Sequence, residues 1–198
     1  RRPYAPPAEL PRNLKKLSYD DLRAIRFHPR EAVWRMERLP FQLQFFHPGG
    51  LQKDRVAVSL VEGDVVSPVP FGRAMFEYAD VELGGRIPDD VGFSGFRVHY
   101  PLNRPDYLDE LIVFQGATYF RALPRGAVYG TSARALGLRI AEGAREEFPR
   151  FRQFWVERPD RAAACLRLWG VFDSESAAGA AEFRVEPGVQ TRVAVRVT

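Results

Sequence analysis

From residue 39 to the end of the chain, hydrophobic and polar residues alternate with a period of two. In the last segment, Val193, Val195 and Val197 fall on one face, whereas Arg192 and Arg196 fall on the other. This alternation is typical of an antiparallel strand with one buried and one solvated face. Roughly ten such segments, separated by glycine, proline and aspartate, predict an all-β fold, an antiparallel β-sandwich. The predicted strands cover residues 41–45, 55–60, 95–100, 111–115, 118–123, 133–140, 150–157, 164–172, 180–185 and 189–197.

The first 38 residues follow a different pattern. Four prolines, at positions 3, 6, 7 and 11, predict an extended arm. Ser18 followed by Asp21 predicts the N-cap of a short helix over residues 18–26, and a second helical turn carrying Trp34 is expected after Pro29. Helices this short need a larger structure to pack on. We therefore expect residues 1–38 to form an arm with short helices that packs on a β-sandwich of residues 39–198.

Features at several positions predict that this sandwich is part of a longer protein. The chain begins with Arg1 rather than methionine and ends on its most regular strand.

A long loop is expected over residues 84–92, where proline and glycine cluster. No apolar run approaches the roughly 18 residues that a membrane-spanning helix requires, so no transmembrane segment is expected.

The amino-acid composition is typical of a globular protein. It has 198 residues, of which 45% are hydrophobic and 27% charged, so a disordered chain is not expected. The single cysteine, Cys165, cannot form an internal disulfide and is expected to be a mostly buried, reduced thiol. With few helical segments, we expect helix to stay below about a fifth of the residues.

The charge is modest but unusual in type. The formal net charge is +4, and 26 of the 29 basic residues are arginine. Acidic residues are interspersed throughout, so no stretch resembles a basic stripe that would follow phosphates. Nucleic acid is therefore not an expected partner. Arginine in such excess suits a surface that needs planar, forked hydrogen-bond donors.

The sequence lacks the motifs of common soluble enzymes. His28, His47 and His99 do not have the short spacing of a metal site, and no dinucleotide or phosphate-binding loop is present. Ser132 lacks the second glycine of a hydrolase elbow. Clustered acids such as Asp106 and Asp109 fit solvated turns. We assign no catalytic residue, no metal ligand and no cofactor.

Several segments interleave aromatic rings with arginine. Strand alternation places Tyr119 and Arg121 on one face, and it likewise groups four residues of the segment 150–157. Those four are Phe151, Gln153, Trp155 and Glu157. Rings beside forked donors suit a sugar, which stacks on the ring while its hydroxyl groups form hydrogen bonds, or an unstacked base. The alternative interpretation is that the rings belong to the core. The candidate ligand-binding residues are Tyr119, Arg121, Tyr129, Arg134 and Trp155.

Longer blocks resemble a known family. They occur in the family's order and are Pro40-Phe41, Phe45-Phe46-His47, Gly92-Phe93-Ser94-Gly95-Phe96-Arg97, Tyr100-Pro101-Leu102-Asn103, Gly116-Ala117-Thr118-Tyr119-Phe120-Arg121, Tyr129-Gly130-Thr131-Ser132-Ala133-Arg134, Glu146-Glu147-Phe148-Pro149-Arg150-Phe151 and Phe154-Trp155-Val156-Glu157-Arg158-Pro159. The chain resembles the N-terminal part of the periplasmic glucans biosynthesis proteins G and D (OpgG/MdoG and OpgD). The resemblance runs from about Tyr4 to the end of the chain.

This resemblance implies a periplasmic protein that handles osmoregulated periplasmic glucans, which are β-1,2-linked glucose polymers. It implies a β-sandwich similar to the galactose mutarotase and carbohydrate-processing domains. Some members are inverting β-1,2-glucanases, but their catalytic carboxylates lie downstream of the matched region. The expected ligand is β-1,2-linked glucan, and components of a membrane glucan synthase are further candidate partners.

Three hypotheses follow for the function. The first is that the chain contributes part of a glucan-binding cleft to a glucan biosynthesis protein. The second is a β-1,2-glucanase whose catalytic carboxylates lie outside this chain; within the chain, Asp106 or Asp109 would have to be the catalytic carboxylate. The third is a structural or docking sandwich whose exposed sheet edge pairs with another protein.

Overall fold

The fold is dominated by strands. The computed structural model describes residues 4–79, 81, 87–134, 136–143 and 146–198. Strands account for 45% of the residues and helices for 9%, which confirms the predicted all-β class and the low helix content. No helix in these described ranges has the length and hydropathy needed to cross a membrane.

Short helices precede the strands. They are α1 (Arg12–Lys15) and α2 (Tyr19–Ala24), and two 3₁₀ turns cover Pro29–Glu31 and Arg73–Met75. Helix α2 begins after the predicted N-cap, Ser18, which forms a capping box: the Asp21 N–H donates to the Ser18 hydroxyl, and the Ser18 N–H donates to the Asp21 carboxylate. The thirteen strands are β1 (Arg26–Phe27), β2 (Gln42–Phe46), β3 (Ala57–Glu62), β4 (Val65–Pro68), β5 (Phe76–Glu77), β6 (Gly95–Arg104), β7 (Tyr107–Gln115), β8 (Tyr119–Ala122), β9 (Thr131–Arg134), β10 (Arg150–Glu157), β11 (Leu166–Asp173), β12 (Ala178–Glu186) and β13 (Arg192–Val197).

Two large sheets form the sandwich. The first has five strands in the order β2-β6-β7-β8-β9, and the second has six in the order β13-β12-β11-β10-β3-β4. Strands β1 and β5 form a small separate pair. Every neighbouring pair is antiparallel except β3 and β10, which run parallel with Val58 opposite Phe154. Because a parallel pair needs a long connection, the chain passes through the five-stranded sheet between these two strands.

Phenylalanine rings fill the space between the sheets. From the five-stranded sheet, Phe96 and Phe114 meet Phe154 of the six-stranded sheet with ring centroids 5.0 and 5.2 Å apart. Phe183 adds an edge-on contact to Phe114 at 5.1 Å. All four side chains are fully buried. Each therefore marks which face of its strand points inward, and the next residue along the strand points outward.

The N-terminal arm packs against the sandwich. Leu10, Leu14 and Leu17 are buried, and the Gly50 N–H donates to the Leu14 carbonyl at 2.9 Å. A guanidinium nitrogen of Arg55 donates to the carbonyl of Ala8 at 3.2 Å. The arm thus contributes to the main core, while a domain boundary at residue 38 stays a prediction.

Several predicted elements differ from the structure. The strand predicted over residues 133–140 ends at Arg134; residue 135 lies outside the described part, and 136–140 contain only an isolated bridge, at Leu138. Strands β1, β4 and β5 lie outside the predicted strands: β1 and β5 have only two residues each, and β4 is exposed at all four positions, so it lacks the alternation of buried and exposed residues. In the loop predicted over 84–92, residues 84–86 lie outside the described part and 87–92 form no strand. Cys165 is a free thiol but only half-buried, because it lies just before β11 begins.

Candidate functional site: a polar sheet face and an adjoining cleft

The outward face of the five-stranded sheet carries a row of polar side chains. Phe96 and Val98 of β6 point into the core, so Arg97 between them points outward. Arg97 is in register with Gln44 of β2 on one side, and on the other side the line continues through Val113 of β7 to Arg121 of β8. Glu110 of β7 lies beside this line, where it pairs with His99 of β6. Residues from four adjacent strands are thus aligned across the sheet. We call the set Gln44, Arg97, Glu110 and Arg121 the polar row.

Glu110 joins the two arginines of this row. One carboxylate oxygen accepts a hydrogen bond from Arg97 Nη1 at 3.1 Å, and the other accepts from Arg121 Nη2 at 2.8 Å. Arg97 Nη2 in turn donates to Gln44 Oε1 at 2.9 Å. These side chains are only about 30% exposed, so the ion pairs are screened less by solvent than surface pairs are. The carboxylate therefore fixes the orientation of both guanidinium groups.

Aromatic rings extend the polar row at Arg121. The Arg121 guanidinium lies 4.9 Å from the ring centroid of Tyr129, whose side chain is exposed. Burial alone would lower the pKa of Arg121, but hydrogen bonding to Tyr129 and Glu110 outweighs it and raises the pKa. The guanidinium thus stays charged and is held between a ring and a carboxylate.

Tyr119 and Arg134 face each other across β8 and β9 beside this row. The Tyr119 hydroxyl lies 2.7 Å from the Ser132 hydroxyl, and the Arg134 guanidinium lies 4.1 Å from the ring centroid of Phe148. Tyr119, Arg121, Tyr129 and Arg134, four of the five residues predicted from sequence, therefore lie together on one surface.

A tight turn brings β8 into this position. Thr118, the residue before β8, has φ of 39° although it is β-branched, and it is fully buried. Its hydroxyl donates to the Leu136 carbonyl at 3.4 Å. A β-branched residue with positive φ is strained, and surrounding contacts must hold it. The strain lies directly beside Tyr119.

Trp155, the fifth predicted residue, lies elsewhere. Its neighbours Phe154 and Val156 are buried against the core, so Trp155 points away from the five-stranded sheet, opposite Trp169 and Ser59 in register. The structure therefore does not bring Trp155 near the polar row.

The predicted grouping of Phe151 with Trp155 is wrong. Phe151 is buried, because a β-bulge between Phe151 and Gln153 shifts the alternation by one residue. Of the four residues grouped from the sequence, only Gln153, Trp155 and Glu157 share the outward face of β10.

A cleft adjoins the polar row at Arg97. It lies between helix α2, strand β1 and the end of β2, and its volume is ≈ 890 Å³, which is within the roughly 300–1,000 Å³ range of small-molecule sites. Phe46, Arg97 and Gln115 line it from the polar face, and His47 lines it at the end of β2. A ligand lying along the polar row could therefore continue into the cleft without leaving the surface.

Sequence reasoning missed three members of this site as ligand-binding candidates. Gln44, Arg97 and Glu110 each lie in a strand of mostly apolar residues. The pattern that would have identified them is a charged or amide residue between two apolar neighbours in a strand, such as Arg97 between Phe96 and Val98. Glu110 was hidden because a register shift in the β6–β7 pair follows Val98.

The clustered acids Asp106 and Asp109 are both engaged by neighbouring side chains. No group of three histidine, cysteine, aspartate or glutamate side chains within the described ranges could hold a metal ion. Asp106 accepts hydrogen bonds from Arg104, which lowers its pKa, and Asp109 accepts from the backbone and side chain of Asn103 at 2.9 Å. The arrangement is thus suited to hydrogen bonding and ring contact with a neutral polar ligand.

Comparisons with known proteins identify the family of the chain. A family model described as "Periplasmic glucan biosynthesis protein, MdoG" matches residues 1–198. "Glucans biosynthesis protein G" of Shewanella frigidimarina is 48% identical over 190 residues, which cover 96% of this chain and 34% of that protein. The proteins of that name from Vibrio cholerae (46% identical, 94% of this chain, 34% of that protein) and Bradyrhizobium diazoefficiens (47%, 96%, 38%) are similar too. The chain spans 34–38% of the length of these three relatives. The chain belongs to the MdoG family of periplasmic glucan biosynthesis proteins.

Proposed function

We propose that the outward face of the five-stranded sheet binds β-1,2-linked glucan, as part of a larger periplasmic protein for glucan biosynthesis. The family's description supports the periplasmic location and the glucan ligand. The observation that carries the proposal is the arrangement at Glu110, which holds the guanidinium groups of Arg97 and Arg121 in fixed orientation beside the exposed ring of Tyr129.

This arrangement matches what a sugar offers. A pyranose ring has an apolar C–H face that stacks on an aromatic ring and a rim of hydroxyl groups that accept from guanidinium N–H groups. Tyr119 and Tyr129 supply rings, and Arg121 and Arg134 supply donors on the same surface. Each hydrogen bond contributes little net free energy, because it replaces one made to water. The site of this chain alone should therefore bind weakly, with a dissociation constant on the order of millimolar.

The test is a titration of the 198-residue chain with linear β-1,2-glucan, followed by two-dimensional NMR. We expect shifts at the Arg97 and Arg121 side-chain Nε–H signals, and Arg121→Ala should weaken binding roughly five- to tenfold. The matched control is Arg196→Ala, which removes an exposed arginine from β13 of the other sheet. Equal affinity for Arg121→Ala and the unmodified chain would contradict the proposal.

Trp155 provides a second, independent arm of this experiment. Because Trp155 lies on the outward face of the six-stranded sheet, Trp155→Ala should leave glucan affinity unchanged if the polar row alone binds. A loss of affinity in Trp155→Ala but not in Arg121→Ala would move the binding site to the other face.

A further inference from the structure

His47 has a buried hydrogen-bonding atom without a partner. Its side chain is 5% exposed and lines the cleft beside the polar row. His47 Nδ1 lies 2.8 Å from the Pro48 carbonyl oxygen; since that oxygen can only accept, Nδ1 carries the proton. In the neutral ring, Nε2 is therefore an acceptor, and it has no partner among the described residues.

Aromatic rings keep this histidine neutral. The rings of Phe71, Phe76 and Tyr78 lie edge-on to His47 with centroids 5.7, 5.2 and 5.5 Å away. Burial lowers the pKa of His47 to about 4, even though the hydrogen bond to Pro48 acts in the opposite direction. Nε2 thus remains an acceptor throughout the neutral pH range.

Arg97 contributes the complementary group to the same cleft. Its Nη1 and Nη2 atoms are engaged by Glu110 and Gln44, whereas its Nε–H is buried and has no partner in the described part of the chain. Both residues line the cleft, and between them they hold one unpaired buried acceptor, His47 Nε2, and one unpaired buried donor, Arg97 Nε–H. Buried polar atoms are nearly always paired in folded proteins, so both atoms call for a group that the protein itself does not supply. A hydroxyl group both donates and accepts, and Phe45, Phe46 and Phe76 supply apolar lining.

We propose that this cleft is a subsite for one neutral sugar residue of the glucan, in which a sugar hydroxyl donates to His47 Nε2 and a hydroxyl oxygen accepts from Arg97 Nε–H. This inference rests on the proposed function, because the polar row would deliver the chain of sugars to the cleft. It adds a residue outside the polar row, and it fixes the ligand's character: hydroxylated and uncharged where it meets His47.

The experiment uses the 198-residue chain and the disaccharide of two β-1,2-linked glucose units. In ¹⁵N NMR spectra that detect the imidazole nitrogens, the His47 Nε2 signal should shift when the disaccharide is added. A shift of the Arg121 signal without any shift at His47 would overturn the subsite and leave the proposed function standing. No shift at either residue would overturn both.

Two variants separate a ligand hydroxyl from a permanently bound water. His47→Phe removes the acceptor but keeps an aromatic ring packed against Phe71, Phe76 and Tyr78. We expect it to weaken disaccharide binding about tenfold without lowering the melting temperature of the free chain. The control is Tyr78→Phe, which removes an unpaired buried hydroxyl packed against His47; Tyr78 does not line the cleft, so affinity should be unchanged. A lower melting temperature with unchanged affinity in His47→Phe would show that the atom serves an internal water, and would overturn the proposal.

Discussion

Glu110 is the residue on which the orientation of the polar row depends. Its two carboxylate oxygens each accept from a different arginine, so this one side chain orients both guanidinium groups. Glu110→Gln keeps the size but removes the charge and one acceptor. Because charge-assisted hydrogen bonds are stronger than neutral ones but these are partly solvated, we expect a loss of about 1 kcal/mol in stability.

The measurement for Glu110→Gln is urea unfolding combined with the glucan titration. Affinity should fall together with stability, because Arg97 and Arg121 lose their common anchor. Asp106→Asn is the matched control: Asp106 pairs with Arg104 in an exposed turn away from the polar row, so neither quantity should change measurably. Equal stability and affinity in Glu110→Gln and the unmodified chain would show that the charged contacts of Glu110 with Arg97 and Arg121 are dispensable.

His47 makes stability depend on pH. The pKa of His47 is about 4 in the folded chain, whereas the ordinary value of 6.5 applies when the chain is unfolded. Between these two pH values the unfolded chain therefore binds more protons than the folded chain. Stability from this group is complete above pH 6.5 and is lost as the pH falls toward 4, by about 3 kcal/mol in total. Burial also lowers the pKa of His99, which adds a loss of the same sign.

The check is urea unfolding of the unmodified chain and His47→Phe between pH 4 and 7.5. The difference in unfolding free energy between them should change with pH only below about 6.5, in favour of the variant. Parallel pH profiles for the two proteins would contradict a neutral, buried His47.

At the scale of elements, the pairing of β8 with β9 depends on Gly130. A Cβ atom there would lie 2.1 Å from the Ala122 carbonyl oxygen, a backbone atom that cannot move aside without breaking the pair. Gly130→Ala should therefore destabilise the chain by about 1–3 kcal/mol and weaken glucan binding, since β8 and β9 carry Tyr119 and Arg134. Gly72→Ala is the control, because its Cβ would make only ordinary contacts. Thermal unfolding and the glucan titration measure both effects; unchanged behaviour of Gly130→Ala would mean that β9 is not held as described.

The alternation in the sequence was sufficient to predict most strands, because it is a local property of each segment. Strand β10 was predicted with its observed bounds, Arg150–Glu157. What the pattern could not predict was the bulge after Phe151, which depends on packing against β11, or the parallel partner β3, which lies about ninety residues earlier. For the same reason, grouping Tyr119 with Arg121 succeeded within one strand, whereas placing Trp155 beside them needed the order of strands in two sheets.

At the scale of the whole molecule, the two outward faces of the sandwich differ in chemistry. The five-stranded sheet presents the polar row and leads into the cleft at Arg97. The six-stranded sheet presents Trp155 and Trp169 in register, with the Arg167 guanidinium 5.0 Å from the Trp169 ring centroid. Arg167 also pairs with Glu157 and Glu182. A cavity lined by Ser59 and Gln153 adjoins this second face, but its volume is ≈ 340 Å³, whereas the cleft beside the polar row has ≈ 890 Å³. The first face is therefore the better candidate for a polymer of sugars.

The same distribution of charges predicts that this chain alone does not hydrolyse glucan. Inverting hydrolysis needs a protonated acid and a base about 6.5–9.5 Å apart across the scissile bond. Glu110 in the polar row is engaged by two arginines, and in the turn between β6 and β7 a hydrogen bond from Arg104 lowers the pKa of Asp106. Hydrogen bonds from Ser174 and Ser176 lower the pKa of Glu147 to about 2, so it too is a poor proton donor at neutral pH.

A reducing-end assay on linear β-1,2-glucan should therefore remain at background over hours at pH 5–8, even at glucan concentrations that saturate the binding signal. Binding without turnover is the expected combination, because in the proposed site the polar row supplies hydrogen-bond donors for hydroxyl groups but no acid to protonate a leaving oxygen. Asp106→Asn and Asp109→Asn should leave this background unchanged. Turnover by the unmodified chain that either substitution abolishes would show that the β6–β7 hairpin supplies a catalytic carboxylate, and the polar row would then be part of an active site.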